Sequence, residues 1–189
     1  MFIPRHPVVE NQFCSYVSQT DTASAGIGGV IAYAGSVVYL DSSAANQEPI
    51  VIKMTTDQVP FGFLMQKVKT GYHQVHPAGF MMPGDLGSSD AIAQPQYDAT
   101  GNITGTKAVP VGVAHLGIWD TVHYTSDTDT AVLPGEALVA SSDEAKVVKT
   151  GLGVNTTVVA RVVKGASAAK ATANKNNTTL YPIRIKLLV

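Results

Sequence analysis

Hydrophobic and polar residues alternate along most of this chain, in short stretches separated by clusters of Gly, Pro, Asn, Asp and Ser. A period of two is typical of β-strands that bury one face, and such clusters are typical of the turns between strands. We therefore predict an all-β fold. The predicted strands are residues 36–40, 50–54, 62–69, 72–76, 109–115, 118–124, 137–140, 146–149, 156–164 and 180–189.

Residues 165–174 come nearest to a helical pattern. Their sequence, GASAAKATAN, contains good helix formers but almost no large apolar side chain that could anchor a helix on a core. We predict a surface loop here, one that becomes ordered only against a partner.

The first 28 residues differ from the rest of the chain, because prolines at positions 4 and 7 and then Ser, Gln, Thr and Gly interrupt any regular element. We predict an extended N-terminal arm over residues 1–28 and a single β-barrel or sandwich domain over residues 29–189. Apolar side chains on a free tail are a solubility liability. The arm therefore either docks on a neighbouring subunit or packs across its own barrel. If it docks, deleting residues 1–20 leaves the barrel folded but weakens attachment.

A loose repeat runs through the domain. The segments GSVVYL (35–40), PGDL (83–86) and PGEALV (134–139) each precede a longer strand, at residues 61–68, 111–116 and 158–163. In the last two, Pro and Gly are the residues that a type II turn requires. Either the chain is internally duplicated or it reuses a common turn. In both cases we expect short antiparallel strands closed into a barrel or sandwich.

The last ten residues and the only tryptophan give two further predictions. In residues 180–189 the apolar side chains fall on one face, and an unpaired apolar strand would promote aggregation, so it closes its own barrel or joins another subunit's sheet. Trp119 is either a core anchor or an interface hot spot. The predicted interface residues are Phe2, Ile3, Phe13, Tyr16, Trp119 and Tyr181.

Charged residues are scarce for a protein of this size. Asp, Glu, Lys and Arg make up 14% of the chain, whereas about a quarter is usual in soluble domains. Charge keeps a fully exposed surface soluble, so we predict a subunit whose surface is covered in an assembly, not an enzyme. A net charge of −1 without a basic run argues against binding to nucleic acid or an anionic membrane. No apolar run approaches the roughly 20 residues that cross a bilayer.

The residues that could carry chemistry form no recognisable site. The five histidines, at positions 6, 73, 76, 115 and 123, lack metal-ligand spacing, and the Asp127–Thr–Asp129 segment lacks the later ligands of a calcium loop. The lone Cys14 has no base nearby in sequence, and no Gly-x-Ser-x-Gly elbow occurs. We predict no catalytic residues, no cofactor and no metal.

Four segments together resemble the small all-β capsid decoration, or cement, proteins of tailed bacteriophages. They are AGSVVYLD (34–41), FGFLMQKV (61–68), PGDL (83–86) and VGVAH (111–115), within a rhythm of turns and strands over residues 30 to 165. The resemblance implies a barrel or β-tulip-like body on the capsid surface of the virion, assembled in the host cytoplasm. It also implies two partners: the major capsid protein and further copies of this chain, as a homotrimer or a dimer.

Two other functions fit the same sequence. One is another phage structural protein, such as a tail-tube, adaptor or fibre-base component. The other is a non-viral β-rich binding module or enzyme, which would present an exposed pocket and act alone. The location of the protein in native particles separates the first of these from a cement protein.

Overall fold

The computed structural model describes residues 1–5, 10–18, 29–42, 49–71, 90–125, 130–153 and 156–189. Within them the chain is almost all β, with 47% strand and one short helix, which confirms the predicted fold class. The predicted strand at 72–76 and the turn at 83–86 lie outside the described residues. The elements are β1 (Phe2–Pro4), β2 (Glu10–Tyr16), β3 (Val30–Ala32), β4 (Val37–Leu40), β5 (Ile50–Lys53), β6 (Gly62–Leu64), β7 (Val68–Thr70), β8 (Ala91–Ala93), β9 (Pro95–Tyr97), β10 (Ile103–Thr106), β11 (Val109–Leu116), β12 (Ile118–Thr121), β13 (Ala137–Ala140), β14 (Val147–Lys149), β15 (Ala160–Lys164), α1 (Ala168–Lys175) and β16 (Ile183–Leu187).

Five strands close into a barrel in the order β11-β2-β5-β4-β6, here named the first barrel. Its neighbours pair antiparallel, except that β2 and β5 run parallel, with Tyr16 opposite Val51. Alternate residues of these strands point inward, so Val38, Leu64 and Val113 are fully buried in its core together with Tyr16 and Val51. The small sheet β3-β7-β8 and the hairpin β9-β10 complete this half of the chain.

The later strands form a second ring. One sheet has the order β1-β12-β16-β15-β13-β14, and a parallel bridge between Tyr124 and Val147 brings the chain after β12 back to β14. The strands β12, β16, β15, β13 and β14, a sheet whose two ends meet through that single bridge, are here named the second barrel, and β1 lies outside it against β12. The last strand, β16, lies between β12 and β15, so both of its edges are paired within this chain and its Ile183, Ile185 and Leu187 are fully buried.

The two barrels repeat one topology. The central strand of the first barrel, β4, pairs antiparallel with β5 and β6, and the central strand of the second, β13, pairs antiparallel with β14 and β15. In each barrel the third of these strands then pairs antiparallel with the C-terminal strand, β11 or β16. That strand pairs antiparallel with the first strand, β2 or β12.

Backbone hydrogen bonds repeat at matched positions. The Gly35 N–H donates to Leu64 O at 2.7 Å, and the Gly135 N–H donates to Val162 O at 2.8 Å. The sheet β3-β7 has a counterpart too, because Ala32 pairs with Val68 and Val132 pairs with Ala166. Further matched donors and acceptors are Met54 to Val37 and Thr150 to Ala137, Asp41 to Ile50 and Ser141 to Lys146, and Phe61 to Val38 and Val159 to Leu138. The chain is structurally duplicated.

This duplication decides the alternatives left by the sequence repeat. The segments beginning at residues 35 and 134 lead into the matched strands β4 and β13, so these two units are real copies. The unit that pairs residues 83–86 with the strand at 111–116 is not a further copy. Residues 111–116 belong to β11, whose counterpart is the C-terminal strand β16. The described residues thus contain two copies of one ring of five strands.

The structure corrects the predicted arm and the predicted loop. In the arm, residues 2–4 and 10–16 are strands, and β2 is one wall of the first barrel, so deleting residues 1–20 would open that barrel. The described part of the arm thus packs across its own chain, the second of the two alternatives. Residues 168–175 form helix α1, in which only Ala171 and Asn174 are buried.

Gly35 and Gly135 occupy matched positions in the two barrels but have different surroundings, and this difference tests the contact between the barrels. Gly35 and Gly135 both have positive φ, at 97° and 87°. A Cβ at Gly135 would meet nothing within 4 Å, whereas at Gly35 it would lie 2.9 Å from Thr121 Oγ1 and 3.1 Å from His123 Cβ, both in the second barrel. We expect Gly135→Ala to lower the free energy of unfolding by about 1 kcal/mol, the cost of a left-handed alanine, and Gly35→Ala to cost at least twice that.

Denaturant unfolding of the two variants measures both losses. Gly101→Ala is the matched control, since Gly101 has φ 85° and open space around its Cβ. Equal losses at Gly35 and Gly135 would contradict the close contact between the barrels at Gly35.

Candidate functional site

The joint between the two barrels brings together most of the polar and aromatic side chains of interest. Strand β1 pairs antiparallel with β12 and places Phe2 between the barrels. Its ring stacks on Trp119 of the second barrel, with centroids 4.4 Å apart, and on Phe63 of the first, at 5.7 Å. Burial of three aromatic side chains in one stack is a large apolar contribution to holding the two rings together.

Three of the predicted interface residues are core residues instead. Phe2, Tyr16 and Trp119 are buried within this chain, so they leave almost no surface for contact with a partner. For Trp119 the core-anchor alternative is right, and its Nε1–H donates to Leu116 O at 3.1 Å.

The other three predicted interface residues lie nearer the surface. Phe13 is 78% exposed and Ile3 is 36% exposed. Tyr181 is half-buried, its carbonyl accepts a hydrogen bond from the Tyr124 hydroxyl, and the Lys170 ammonium lies 5.4 Å from its ring centroid. Their contacts with a partner remain a prediction.

A buried carboxylate fixes β1 to the second barrel. Asp120 is nearly inaccessible, with Arg5 Nε 2.7 Å from Oδ2 and Arg184 Nε 2.8 Å from Oδ1. The hydrogen bond from Arg184, aided by Arg5, holds the pKa of this carboxyl below its usual value despite the opposing effect of burial. Asp120 therefore stays ionised and binds the end of β1 through Arg5.

A histidine and a serine meet at the centre of the joint. His123 Nε2 lies 2.9 Å from Glu144 O and 3.1 Å from Ser36 Oγ. Because a carbonyl only accepts, this nitrogen carries the proton. Ser36 is fully buried and its hydroxyl also donates to Glu144 O, so the pair has no access to a substrate and is structural. Burial lowers the pKa of His123 to about 4, with the nearby Lys146 acting in the same direction.

The chain opposite His123 adopts an unusual backbone. Glu144 and Ala145 have φ of 54° and 51°, in the left-handed region that few non-glycine residues occupy. Their carbonyls point at the first barrel: Ala145 O accepts from the Val37 N–H at 3.0 Å, and Glu144 O accepts from Ser36. The Glu144 side chain also pairs with Lys53 of the first barrel at 2.6 Å. The turn between β13 and β14, residues 141–146, therefore binds the first barrel and is named the clasp.

A cleft of about 760 Å³ opens beside this clasp. It is lined by both barrels and by the start of β1, and its charged side chains include Lys67, Asp90 and Lys146. In the described part of the chain no group of three or more His, Cys, Asp or Glu side chains is arranged to hold a metal ion. Likewise, none of the helices that the structure describes is long and apolar enough to span a membrane.

Large apolar side chains are exposed on both barrels. More than a third of the surface of each is accessible, and Val59 reaches 83%. They include Phe13, Val59, Leu116, Leu133, Leu152, Val163, Leu180 and Leu188.

The chain was compared with protein-family models and with curated proteins. No protein-family model matches this chain, and no curated protein matches it at a significant level.

Sequence analysis missed the residues that join the barrels. Of these residues Asp120 lies in β12, whereas Ser36, His123 and Glu144 lie in turns and connections, and none lies in a motif. The strand pattern gave no signal at Asp120, because it lies opposite Arg184 on the outer face of the sheet and is covered there by Arg184 and Arg5.

Removing the Phe2 ring should loosen the joint. We expect Phe2→Ala to lower the free energy of unfolding by about 3 kcal/mol, the lower end of the range for a buried Phe→Ala change. Ile3→Ala is the matched control, because Ile3 lies beside it on the exposed face of β1, and it should cost less than about 1 kcal/mol. Chemical unfolding measures both, and equal effects would count against the aromatic stack.

Acid should destabilise the protein through His123. Its folded pKa of about 4 lies below the ordinary 6.5, so it folds neutral. The stability this contributes is complete above pH 6.5 and is lost as the pH falls from 6.5 to 4, by about 3 kcal/mol over that range. In His123→Gln, whose side chain does not titrate, the free energy of unfolding should fall less between about pH 7 and pH 4.

Unfolding curves for the two proteins across this range provide the measurement. Asp120 and Glu136, whose pKa values are also lowered, titrate in both proteins, so the difference isolates His123. Parallel pH profiles would show that His123 is not buried as described.

Proposed function

We propose that this chain is a structural protein of a virus particle: a capsid decoration protein that binds the outside of a phage head and bridges neighbouring major capsid subunits. Its partners would be the major capsid protein and further copies of this chain. The proposed role involves no enzymatic activity.

The observation that carries this proposal is an exposed apolar surface on a chain of low charge. Side chains such as Val59, Leu133 and Leu188 are open to solvent, while only 14% of the residues are charged. Scattered apolar residues are common on any surface, but so little charge offsets them poorly. Burial of this surface against neighbours in a particle would remove the difficulty.

The duplication supports the same function. Two barrels of one topology are fixed to each other by the Phe2 stack and by the Glu144 clasp. A rigid pair of related modules can engage two neighbouring copies of one partner at once. Two linked contacts of this kind bind more tightly than either contact alone.

The proposal is tested by sedimentation with assembled shells. We expect the purified protein to pellet with empty shells of the particle in which it occurs and to remain apart from unassembled capsid subunits. Lysine substitutions at Val59, Leu133 and Leu188 identify the contact surface, and at least one should weaken binding tenfold or more. Gln96→Lys and Thr104→Lys, at exposed polar positions, are the matched controls and should bind normally.

Two results would overturn the proposal. One is a protein that stays in the supernatant with intact shells. The other is electron microscopy of native particles that places the protein in the tail, which would favour a tail or adaptor component instead.

A further inference from the structure

The first strands of the two barrels, β2 and β12, have matched outer edges that differ in their pairing. Val113 of β11 and Ile185 of β16 are matched, because each pairs with the matched position of the preceding strand, Leu64 or Val162. Val113 lies opposite Gln12, and Ile185 lies opposite Trp119. Residues 12–14 of β2 are therefore the counterpart of residues 119–121 of β12.

In the second barrel this edge is covered. Strand β1 pairs antiparallel with it, with Phe2 opposite Thr121 and Pro4 opposite Trp119. In the first barrel, the pairing of β2 on this side within the described residues is confined to its end, where Ser15 and Tyr16 meet β5. Among the strands that the structure describes, none pairs with the outer edge of residues 12–14.

The backbone at this edge is directed outward. The Ser15 N–H donates to Pro49 O and the Val17 N–H donates to Val51 O, so odd-numbered residues of β2 direct their N–H and C=O groups to the β5 side. By the alternation of a strand, the Phe13 N–H and C=O face the same side, beyond the end of β5. The Phe13 side chain is 78% exposed beside them. An open edge with an exposed aromatic ring is a template for strand pairing.

We propose that this edge of β2 pairs antiparallel with the same edge of a second copy of the chain, about a twofold axis. The occupant of the matched edge, β1, is an antiparallel strand, and two identical edges meet antiparallel about a twofold axis without further adjustment. Residues 12–16 carry no charge, so two copies bring no like charges together. Each Phe13 ring would be covered by the partner's strand. This inference does not depend on the proposed function.

The test is the oligomeric state in solution. Sedimentation velocity of the full chain over a range of micromolar concentrations should show a dimer. Phe13→Pro removes the outward N–H, whereas the bonds of β2 to β11 come from even-numbered residues and remain. Phe13→Lys instead places a charge on the edge. Both variants should raise the dimer dissociation constant at least tenfold.

Thermal unfolding and far-UV circular dichroism establish that each variant is folded. Because Phe13→Lys removes no backbone donor, it keeps the test informative if Phe13→Pro fails to fold. Val163→Lys, at an exposed apolar position on β15, is the matched control and should remain dimeric. A monomeric parent protein, dimers that persist in folded Phe13→Lys, or equal dissociation in Val163→Lys would each overturn the proposal.

Discussion

Closure of each ring by one short parallel pairing is the constraint on which the rest of the fold depends. Tyr16 against Val51 and Tyr124 against Val147 join strands that no tight hairpin can connect. Each closure buries a tyrosine, and burial raises the pKa of both, that of Tyr124 to about 12.

The course of the chain makes the two rings interdependent. The first ring ends at Leu116 and the second begins at Ile118, so Gly117 looks like a boundary between two modules. Yet β1, which precedes the first ring in sequence, pairs with the second and fills the space between them with Phe2. The chain therefore passes between the halves twice. Separation at Gly117 would leave each half without contacts that it makes in the intact protein.

Alternation of apolar and polar residues predicted most of the barrel strands, because one face of each is buried. It failed at β2, where Cys14 and Tyr16 are buried but Phe13 is exposed, so the apolar residues do not mark one face. It failed at α1 for a different reason. That helix is held by the Asn174 side chain, whose amide donates to the carbonyls of Val122 and Tyr124, and not by large apolar residues. Hydrophobic periodicity predicts neither the exposed Phe13 of β2 nor the Asn174 hydrogen bonds of α1.

The polar contacts of the joint lie at a position where the two copies have different residues, Ser36 and Glu136. In the second barrel Lys149 pairs with Glu136 of the same ring. The matched residues of the first barrel are Lys53 and Ser36, since their backbone partners correspond. Without a carboxylate at position 36, Lys53 pairs with Glu144 of the other ring, and the small Ser36 hydroxyl fits against His123.

A partly exposed ion pair such as Lys53–Glu144 contributes little, about 1 kcal/mol or less. The hydrogen bonds of the buried Ser36 and His123 matter more, because their loss would leave polar groups unsatisfied inside the protein. Glu136 thus makes a contact within the second ring, whereas Ser36 at the matched position makes a contact that joins the two rings.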